Sequence, residues 1–484
     1  MMPSDLRLSS DWLTSSWRFN RVHLQQATIY ISPTLNSYTV HQDPHHEHNL
    51  DNQLYNAPKM DEQKDNMLFI LSSPPPDEPQ PITTLRSQAH DLISNISLDT
   101  LPTTLQDVLS QIIKPLFTKT HRNLTSTGRK NLVSNTPSFL SPRFEVDEPE
   151  RWKTNFTVPL LTYILSAYAR LLSDSRKSVI EAHFHLLVPA ILNMIDDTDA
   201  TYKASGANLL TTLCEIVRSL QSDIIRRTGL GDVFFDALKT NFNLLPTLTP
   251  EEDSLGILGA VVPAYFALLD ITTNTDTNID AKQRKAGTDR LTWLYRHGII
   301  SGIEHLSSSG SFSSTISVPL TTFLLAQIPA VFELMGMTSV RHFQELLPML
   351  RAGLMDPFIL AAPGMVLAAL DVLDCVIRVG EPRIKEKWWP EILRGAVGCW
   401  CNCCDEPLSR RRDGSEVEEV MGRLRGVVVS LGKVVDREVW EDVLMRLIDE
   451  ERELEELVGT QRAIKKRVQK REDEGNGDQL TSTV

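Results

Sequence analysis

The segment His183-Phe-His-Leu-Leu-Val-Pro189 returns later in the chain as His342-Phe-Gln-Glu-Leu-Leu-Pro348, and 342 − 183 gives an offset of 159 residues. An upstream segment, Val158-Pro-Leu-Leu-Thr-Tyr-Ile-Leu165, returns as Val318-Pro-Leu-Thr-Thr-Phe-Leu-Leu325 at an offset of 160 (318 − 158). Self-similarity in register over such a distance is typical of repeat proteins. The offset is about four periods of a ~40-residue HEAT unit.

Both copies have the same internal order. Each has a helix with a proline in its middle, then an acidic turn, then a second apolar helix. Aspartates in such a turn can accept hydrogen bonds from the first amides of the next helix. This order predicts an all-α, HEAT-like helical-repeat solenoid, and a non-repetitive helical bundle is the alternative. The two copies place the three features at Pro189, Asp196-Asp197 and 209–217, and at Pro348, Asp356-Pro357 and 366–379.

Apolar residues at helical spacing extend this region in both directions. A capping box with Thr249 as N-cap, Pro250 at N1 and Glu252 at N3 predicts the start of one further helix. Asp232 is predicted to cap another, and Pro390 to begin a last unit. Low-complexity, proline-broken sequence before residue 85 predicts disorder. We therefore predict a disordered extension over 1–84, a helical segment and linker over 85–150, the solenoid over 151–434, and an amphipathic helix with a polar tail over 435–484.

The amphipathic helix is predicted to run from Val435 to about Arg471, with an apolar stripe that includes Trp440, Leu444 and Leu454. Capping of the solenoid end is the first interpretation of this stripe, and packing against a partner is the second. Its last part, Lys465-Lys-Arg-Val-Gln-Lys-Arg471, is compatible with a charged helix end or with a nuclear localisation signal.

Composition and charge limit the function. The formal net charge of −13 disfavours general binding to nucleic acid or to anionic membranes. The longest uncharged apolar run, 254–269, is too short to span a bilayer and contains Pro263. No signal peptide opens the sequence, and the six cysteines are not spread as a disulfide framework. We expect an intracellular protein that has no membrane partner and binds no nucleic acid directly.

Four of the six cysteines lie between Cys399 and Cys404. A zinc site needs four converging ligands, but only Cys401 and Cys404 form a CxxC pair, and no histidine lies downstream of His342. On a helix, Cys399 and Cys403 share a face while Cys401 points elsewhere. The cluster is therefore predicted to be a packing surface, and a redox role stays open.

Other candidate sites fail on their own chemistry. His41–His48 could chelate a divalent ion, but this segment is flexible and polar. Thr228-Gly-Leu-Gly231 lacks the strand, the third glycine and the Lys-Ser/Thr of a phosphate-binding loop, so we interpret it as a turn between helices. Asn274–Asp280 lacks the glycine and the glutamate of a calcium loop. We predict no catalytic, cofactor-binding or metal-binding residues, and no enzyme activity.

Trp388 and Trp389 are the candidate partner-binding residues. Neighbours on a helix cannot both face the core, so one indole should be partly exposed, and exposed tryptophans often anchor protein interfaces. Burial of both beneath the next helix is the alternative.

The run from His183 to Asp199 resembles the core block of the Tel-two-interacting protein two family. So do Tyr202-Lys203, Gly206, Leu209-Leu210 and Leu248-Thr-Pro-Glu-Glu252. Arg226-Arg-Thr-Gly-Leu-Gly-Asp-Val-Phe234 resembles fungal members in particular and is the more discriminating block. The resemblance extends over residues 150–400 and is strong over about 90 of them.

The resemblance implies a subunit of the Triple-T complex, with a Tel-two-like subunit and a larger Tel-two-interacting subunit as partners. It also implies work with the ninety-kilodalton heat-shock chaperone on phosphatidylinositol-kinase-related kinases as clients, and, in fungi, a place in the ASTRA assembly. The family has no catalytic residues to carry over. We expect a scaffold and co-chaperone in the cytoplasm and nucleus. The rival is a generic HEAT adaptor in transport or phosphatase scaffolding.

Overall fold

The computed structural model describes residues 100–117, 152–153, 157–171, 173–273, 281–308, 317–407 and 415–459. Within these ranges the chain is all-α and contains no strand. The major helices, numbered in chain order, are α1 Leu101–Asp107, α2 Thr157–Ala167, α3 Ser173–Ile195, α4 Ala200–Ser219, α5 Leu230–Thr240, α6 Glu251–Thr273, α7 Ala281–Trp293, α8 Val318–Met335, α9 Phe343–Leu354, α10 Pro363–Val379, α11 Trp389–Asp405, α12 Glu416–Val434 and α13 Arg437–Glu450.

Shorter elements connect or extend these helices. Three of them are π-helical: Val108–Ile113 follows α1, Leu294–Ile300 follows α7, and Ile384–Trp388 precedes α11. A π-helix has one extra residue in its turn and therefore shifts the register of the helix that continues from it. The remaining short helices are Lys114–Leu116, Ile224–Arg227, Ser301–Ser308, Glu381–Arg383 and Glu455–Val458, with 3₁₀ turns at Tyr168–Arg170, Asn241–Asn243, Gly336–His342, Ile359–Ala361 and Arg452–Leu454.

The helices form two layers. The even-numbered helices α2 to α12 each pack against the next even-numbered helix, and the odd-numbered helices form the second layer beside them. One continuous apolar core fills the space between the layers. A stack of helix pairs whose main contacts are with neighbouring pairs is a helical solenoid, so the predicted fold class is confirmed. The predicted disorder over 1–84 lies outside the described residues.

The two echoing segments occupy equivalent places. Val158–Leu165 lies in α2 and Val318–Leu325 in α8; Pro189 lies inside α3, and Pro348 inside α9. These places are three helix pairs apart and not about four, because the pairs average about 53 residues (159 / 3) and not ~40. The extra length includes Ile224–Arg227, the 241–250 turn and the extension of α7 to Ser308.

The acidic turns act as the sequence predicts. Asp199 is the N-cap of α4, where its carboxylate accepts a hydrogen bond from the Thr201 amide at 2.8 Å. Asp197 accepts from the Asp199 amide at 2.7 Å, and Asp356 accepts from the Phe358 amide at 2.9 Å, so both copies make the same turn. Lys153 bonds the buried Asp197 carboxylate at 3.0 Å.

The predicted helix from Val435 to Arg471 is wrong in its length. It ends at Glu450, and Glu451 has an extended backbone before a 3₁₀ turn and the short helix Glu455–Val458. The break folds the apolar stripe back on the stack, where Trp440, Leu444 and Leu454 are buried. This burial supports the interpretation of the segment as an end cap. Residues 460–484, with the basic segment 465–471, lie outside the described residues.

Three stretches are long and apolar enough to cross a membrane by length and composition alone: Ser175–Ile195, Glu251–Thr273 and Val318–Leu354. In the stack, 61%, 56% and 44% of their most apolar windows are buried, respectively. Packing between helix layers is thus a sufficient physical reason for their apolar character.

Candidate protein-binding surfaces

Trp388 and Trp389 lie where the π-helical turn Ile384–Trp388 passes into α11. Both indoles are half-buried. Trp389 packs edge-on against Trp440, with ring centroids 6.2 Å apart, and so belongs to the contact between α11 and α13. Trp388 has the Lys387 ammonium over its ring at 4.6 Å. Both indoles also pack against the apolar core, so Trp388 stays a candidate anchor, while Trp389 has the additional contact with Trp440.

Charged residues surround Trp388 in the same turn. Lys385 pairs with Asp436 at 2.6 Å, and Arg383 with Glu386 at 2.6 Å. All four of these side chains are at least half exposed, so solvent screens the pairs and leaves them able to exchange partners. A flat indole edged by exchangeable charges is typical of a protein interface.

A second candidate surface lies outside the sites predicted from the sequence. An open groove of about 700 Å³ lies where α4, α6 and α7 meet, and Leu334 of α8 stands at its lip. Its walls combine core residues such as Cys214 and Leu269 with less covered side chains: Pro263 is exposed, and Phe266 and Ala267 are half-buried. The lining residues are Thr211, Cys214, Glu215, Arg218, Pro263, Phe266, Ala267, Leu269, Asp270, Thr273, Arg284, Gly287, Thr288, Leu291 and Leu334.

The groove has features of a candidate binding surface. An ion pair between Arg218 and Asp270, 2.9 Å long, crosses one wall, and Leu334 is 57% exposed. Apolar walls with a few oriented polar groups are what ligand and peptide sites commonly have. Most apolar residues of α6 are buried in the stack, so no pattern in the sequence separates the groove wall from the core.

The groove and Trp388 share one edge of the stack. The groove and Trp388 both lie at the edge where an even-numbered helix ends and the chain turns into the next odd-numbered helix. Two ion pairs confirm that these joints are neighbours along the edge: Arg378 with Glu333 at 2.8 Å, and Lys385 with Asp436. We call the groove together with Trp388 the groove edge.

The Arg226–Phe234 block organises the joint between α3, α4 and α5. Gly229 adopts a left-handed conformation (φ 69°) between Ile224–Arg227 and α5, which confirms the predicted turn. Arg227 bonds Glu181 of α3 at 2.9 Å, and Ser222 donates to the same carboxylate at 2.6 Å. The hydrogen bond from Ser222 is the main cause that lowers the pKa of Glu181.

The predicted Asp232 cap is wrong. Gly229 is the N-cap of α5, and Asp232 lies inside the first turn. Its carboxylate pairs instead with Arg290 of α7 at 2.9 Å, and the Arg290 guanidinium also lies over the Phe235 ring at 4.3 Å. Asp232 therefore takes part in a contact with the next helix pair in place of a local cap.

The titratable groups with the largest pKa shifts are explained by burial. Tyr168 and His183 share a hydrogen bond of 3.0 Å, and His342 packs on Tyr295 with ring centroids 4.5 Å apart. Desolvation lowers the pKa of each histidine to about 4 and raises that of each tyrosine. These groups lie in joints between helices, where neutral rings complete the packing.

Cys399 and Cys403 are fully buried in α11, while Cys401 and Cys404 are partly exposed. Burial raises the pKa of Cys401 to about 12, so its reactive thiolate is scarce at neutral pH. No group of three potential metal ligands converges within the described ranges. The histidines 41–48 and the loop 274–280 lie outside those ranges.

A family model described as the Tti2 family matches residues 71–361, which is more than half of the chain. The matched region includes α1 to α9 and the groove, but not Trp388. No curated protein and no solved structure matches the chain.

Proposed function

Because this chain belongs to the Tti2 family, whose members are known as components of the Triple-T complex, we propose that it is a non-catalytic scaffold subunit of that complex. The family match is the observation that carries the proposal. In this function the chain binds the Tel-two-like and the larger Tel-two-interacting subunits in the cytoplasm and nucleus. With the ninety-kilodalton heat-shock chaperone, the assembly supports the maturation and stability of phosphatidylinositol-kinase-related kinases.

The architecture supports a scaffold. A solenoid offers a long surface on which partners bind side by side, and repeat proteins commonly use such surfaces for protein recognition. The groove edge supplies an apolar recess and an indole anchor on one side of the stack. Burial accounts for the shifted pKa values of the buried histidines and tyrosines.

Assembly is tested by purifying the tagged full-length chain from its own cells and quantifying the bound proteins by mass spectrometry. We expect the two other Triple-T subunits in near-equal amounts. Recovery of phosphatase subunits or nuclear transport proteins in their place would favour the generic HEAT adaptor and overturn the proposal.

The groove edge is tested with Ala267→Arg, which fills the groove from its floor with a good helix former. The matched control is Ala352→Arg, at an exposed position of α9. We expect the first variant to lose the other two subunits by at least about tenfold and the second to retain them. Kinase levels in cells should fall with the first variant alone, because the kinases are the proposed clients of the assembled complex.

A further inference from the structure

Phe358 is the one exposed aromatic side chain among the described residues. Its ring is 77% exposed at the tip of the turn between α9 and α10, while the next residues, Ile359 and Leu360, are buried. The turn is firmly held: Asp356 bonds the Phe358 amide through its carboxylate, and its carbonyl accepts from the Asn402 side chain at 3.0 Å. An aromatic ring presented on a fixed turn loses little conformational entropy when a partner covers it.

Acidic residues lie at the same end of α11 as this turn. Asn402 connects it to the end of α11, where Asp405 is exposed, and Trp400 donates to the Glu453 carbonyl at 3.0 Å, which brings the 451–453 turn alongside. The bonds from Asn402 and Trp400 thus place the Phe358 turn, Asp405 and the 451–453 turn together at the C-terminal end of α11. We call Phe358, Asp405, Glu451 and Glu453 the Phe358 patch.

Helix capping does not explain these charges. Asp405 ends α11 and Glu450 ends α13, and neither helix has a basic residue in its last turn. A helix C-terminus carries partial negative charge and favours cations, so carboxylates at two such ends oppose the local preference. In the described residues 405–406 and 449–453, six side chains are acidic and Arg452 alone is basic.

We propose that the Phe358 patch binds a basic amphipathic helix of a partner protein, whose apolar face covers Phe358 and whose lysines or arginines face the carboxylates. Charge complementarity selects this occupant, because an acidic or neutral segment would leave like charges or uncompensated carboxylates at the interface. The patch lies on the edge opposite the groove edge, where odd-numbered helices pass to even-numbered ones. This inference goes beyond Triple-T assembly and does not depend on it.

The probe is a fluorescein-labelled helical peptide of about 18 residues with leucines on one face and lysines on the other. Its binding to the full-length chain is measured by fluorescence anisotropy. We expect Phe358→Ser to weaken binding at least about tenfold. The matched control is Leu248→Ser, at a side chain that is 80% exposed in another turn, and this variant should bind like the parent.

Charge is tested in the same assay. Asp405→Asn with Glu453→Gln, and higher salt, should each weaken binding, and a peptide with glutamates in place of the lysines should not bind. Equal effects of Phe358→Ser and Leu248→Ser, or no binding by the parent chain, would overturn the proposal. So would carbodiimide coupling of Lys465 or Lys466 to the patch in the peptide-free chain, since the chain itself would then be the occupant.

Discussion

His183 and His342 hold the same position in the two echoing segments, and both rings are buried. His183 faces Tyr168 and lies near His185; His342 faces Tyr295, with Arg341 and Arg296 nearby. None of these neighbours supplies the negative charge that would favour a protonated imidazole. The sequence predicted both residues as part of the repeat, but their burial depends on helices distant in the chain.

Acid should therefore destabilise the stack through these two rings. The pKa of each is near 6.5 when unfolded and about 4 when folded, so between those values the unfolded chain binds more protons. The free energy of unfolding is expected to fall as pH drops from about 6.5 towards 4. Urea unfolding of the parent and of His183→Gln/His342→Gln at several pH values measures this. Identical slopes for the two proteins would contradict it.

Gly206 is needed where α4 crosses α3. A Cβ there would lie 2.8 Å from both the Ile195 nitrogen and the Met194 Cβ, so backbone would have to move. We expect Gly206→Ala to lower the free energy of unfolding by about 1–3 kcal/mol. The control Gly256→Ala, on the exposed face of α6 with nothing within 4 Å, should raise it by about 0.5–1 kcal/mol. Thermal melts would refute the packing argument if both variants shifted alike.

Substitutions of the two adjacent tryptophans should differ in their effects on stability and on partner binding. Trp389→Ala removes the aromatic contact with Trp440 and should cost about 2 kcal/mol of stability. Trp388→Ala should leave the melting temperature nearly unchanged and weaken binding of the purified larger Tel-two-interacting subunit about tenfold. Calorimetry of both variants measures the two quantities. Loss of stability without loss of binding for Trp388→Ala would assign it to the core.

At the scale of elements, caps and turns that depend on neighbouring residues were predicted well, and the ends of helices were predicted less well. The Asp199 cap, the mid-helix prolines and the Gly229 turn follow from short-range chemistry and were confirmed. The α6 start is one residue later than predicted, because the Pro250 carbonyl accepts the first helical bond from Ser254. Asp232 was missed because its partner, Arg290, lies 58 residues away.

Neither the number of helix pairs nor the groove could be predicted from a local sequence pattern. The offset of 159 residues shows that the two echoing segments occupy equivalent places, but it does not show how many helix pairs lie between them. Insertions such as Ile224–Arg227 lengthen a pair without leaving a periodic signal. The groove arises where α4, α6 and α7 meet. Its α4 residues lie about 50 or more positions before its α6 and α7 residues in the sequence. The relation between such positions depends on the stacking angle, which no local pattern specifies.

At the scale of the whole molecule, α13 and the short helix after it close one end of the stack. Trp440, Leu444 and Leu457 are buried there against α11 and α12. We expect a chain that stops at residue 434 to melt lower and to self-associate, because the uncovered apolar face would seek another surface. Light scattering after size exclusion measures the mass. A stable monomer would show that the segment is not an end cap.

The three π-helical turns all belong to the odd-numbered layer, next to or within α1, α7 and α11. Each holds one residue more than an α-helical turn would, so each has the size of a single-residue insertion. We expect deletion of one residue at 108–113, 294–300 or 384–388 to restore an α-helical turn and keep both flanking helices. In the turn that carries Trp388, such a deletion would rotate the indole by about 100° about the helix axis.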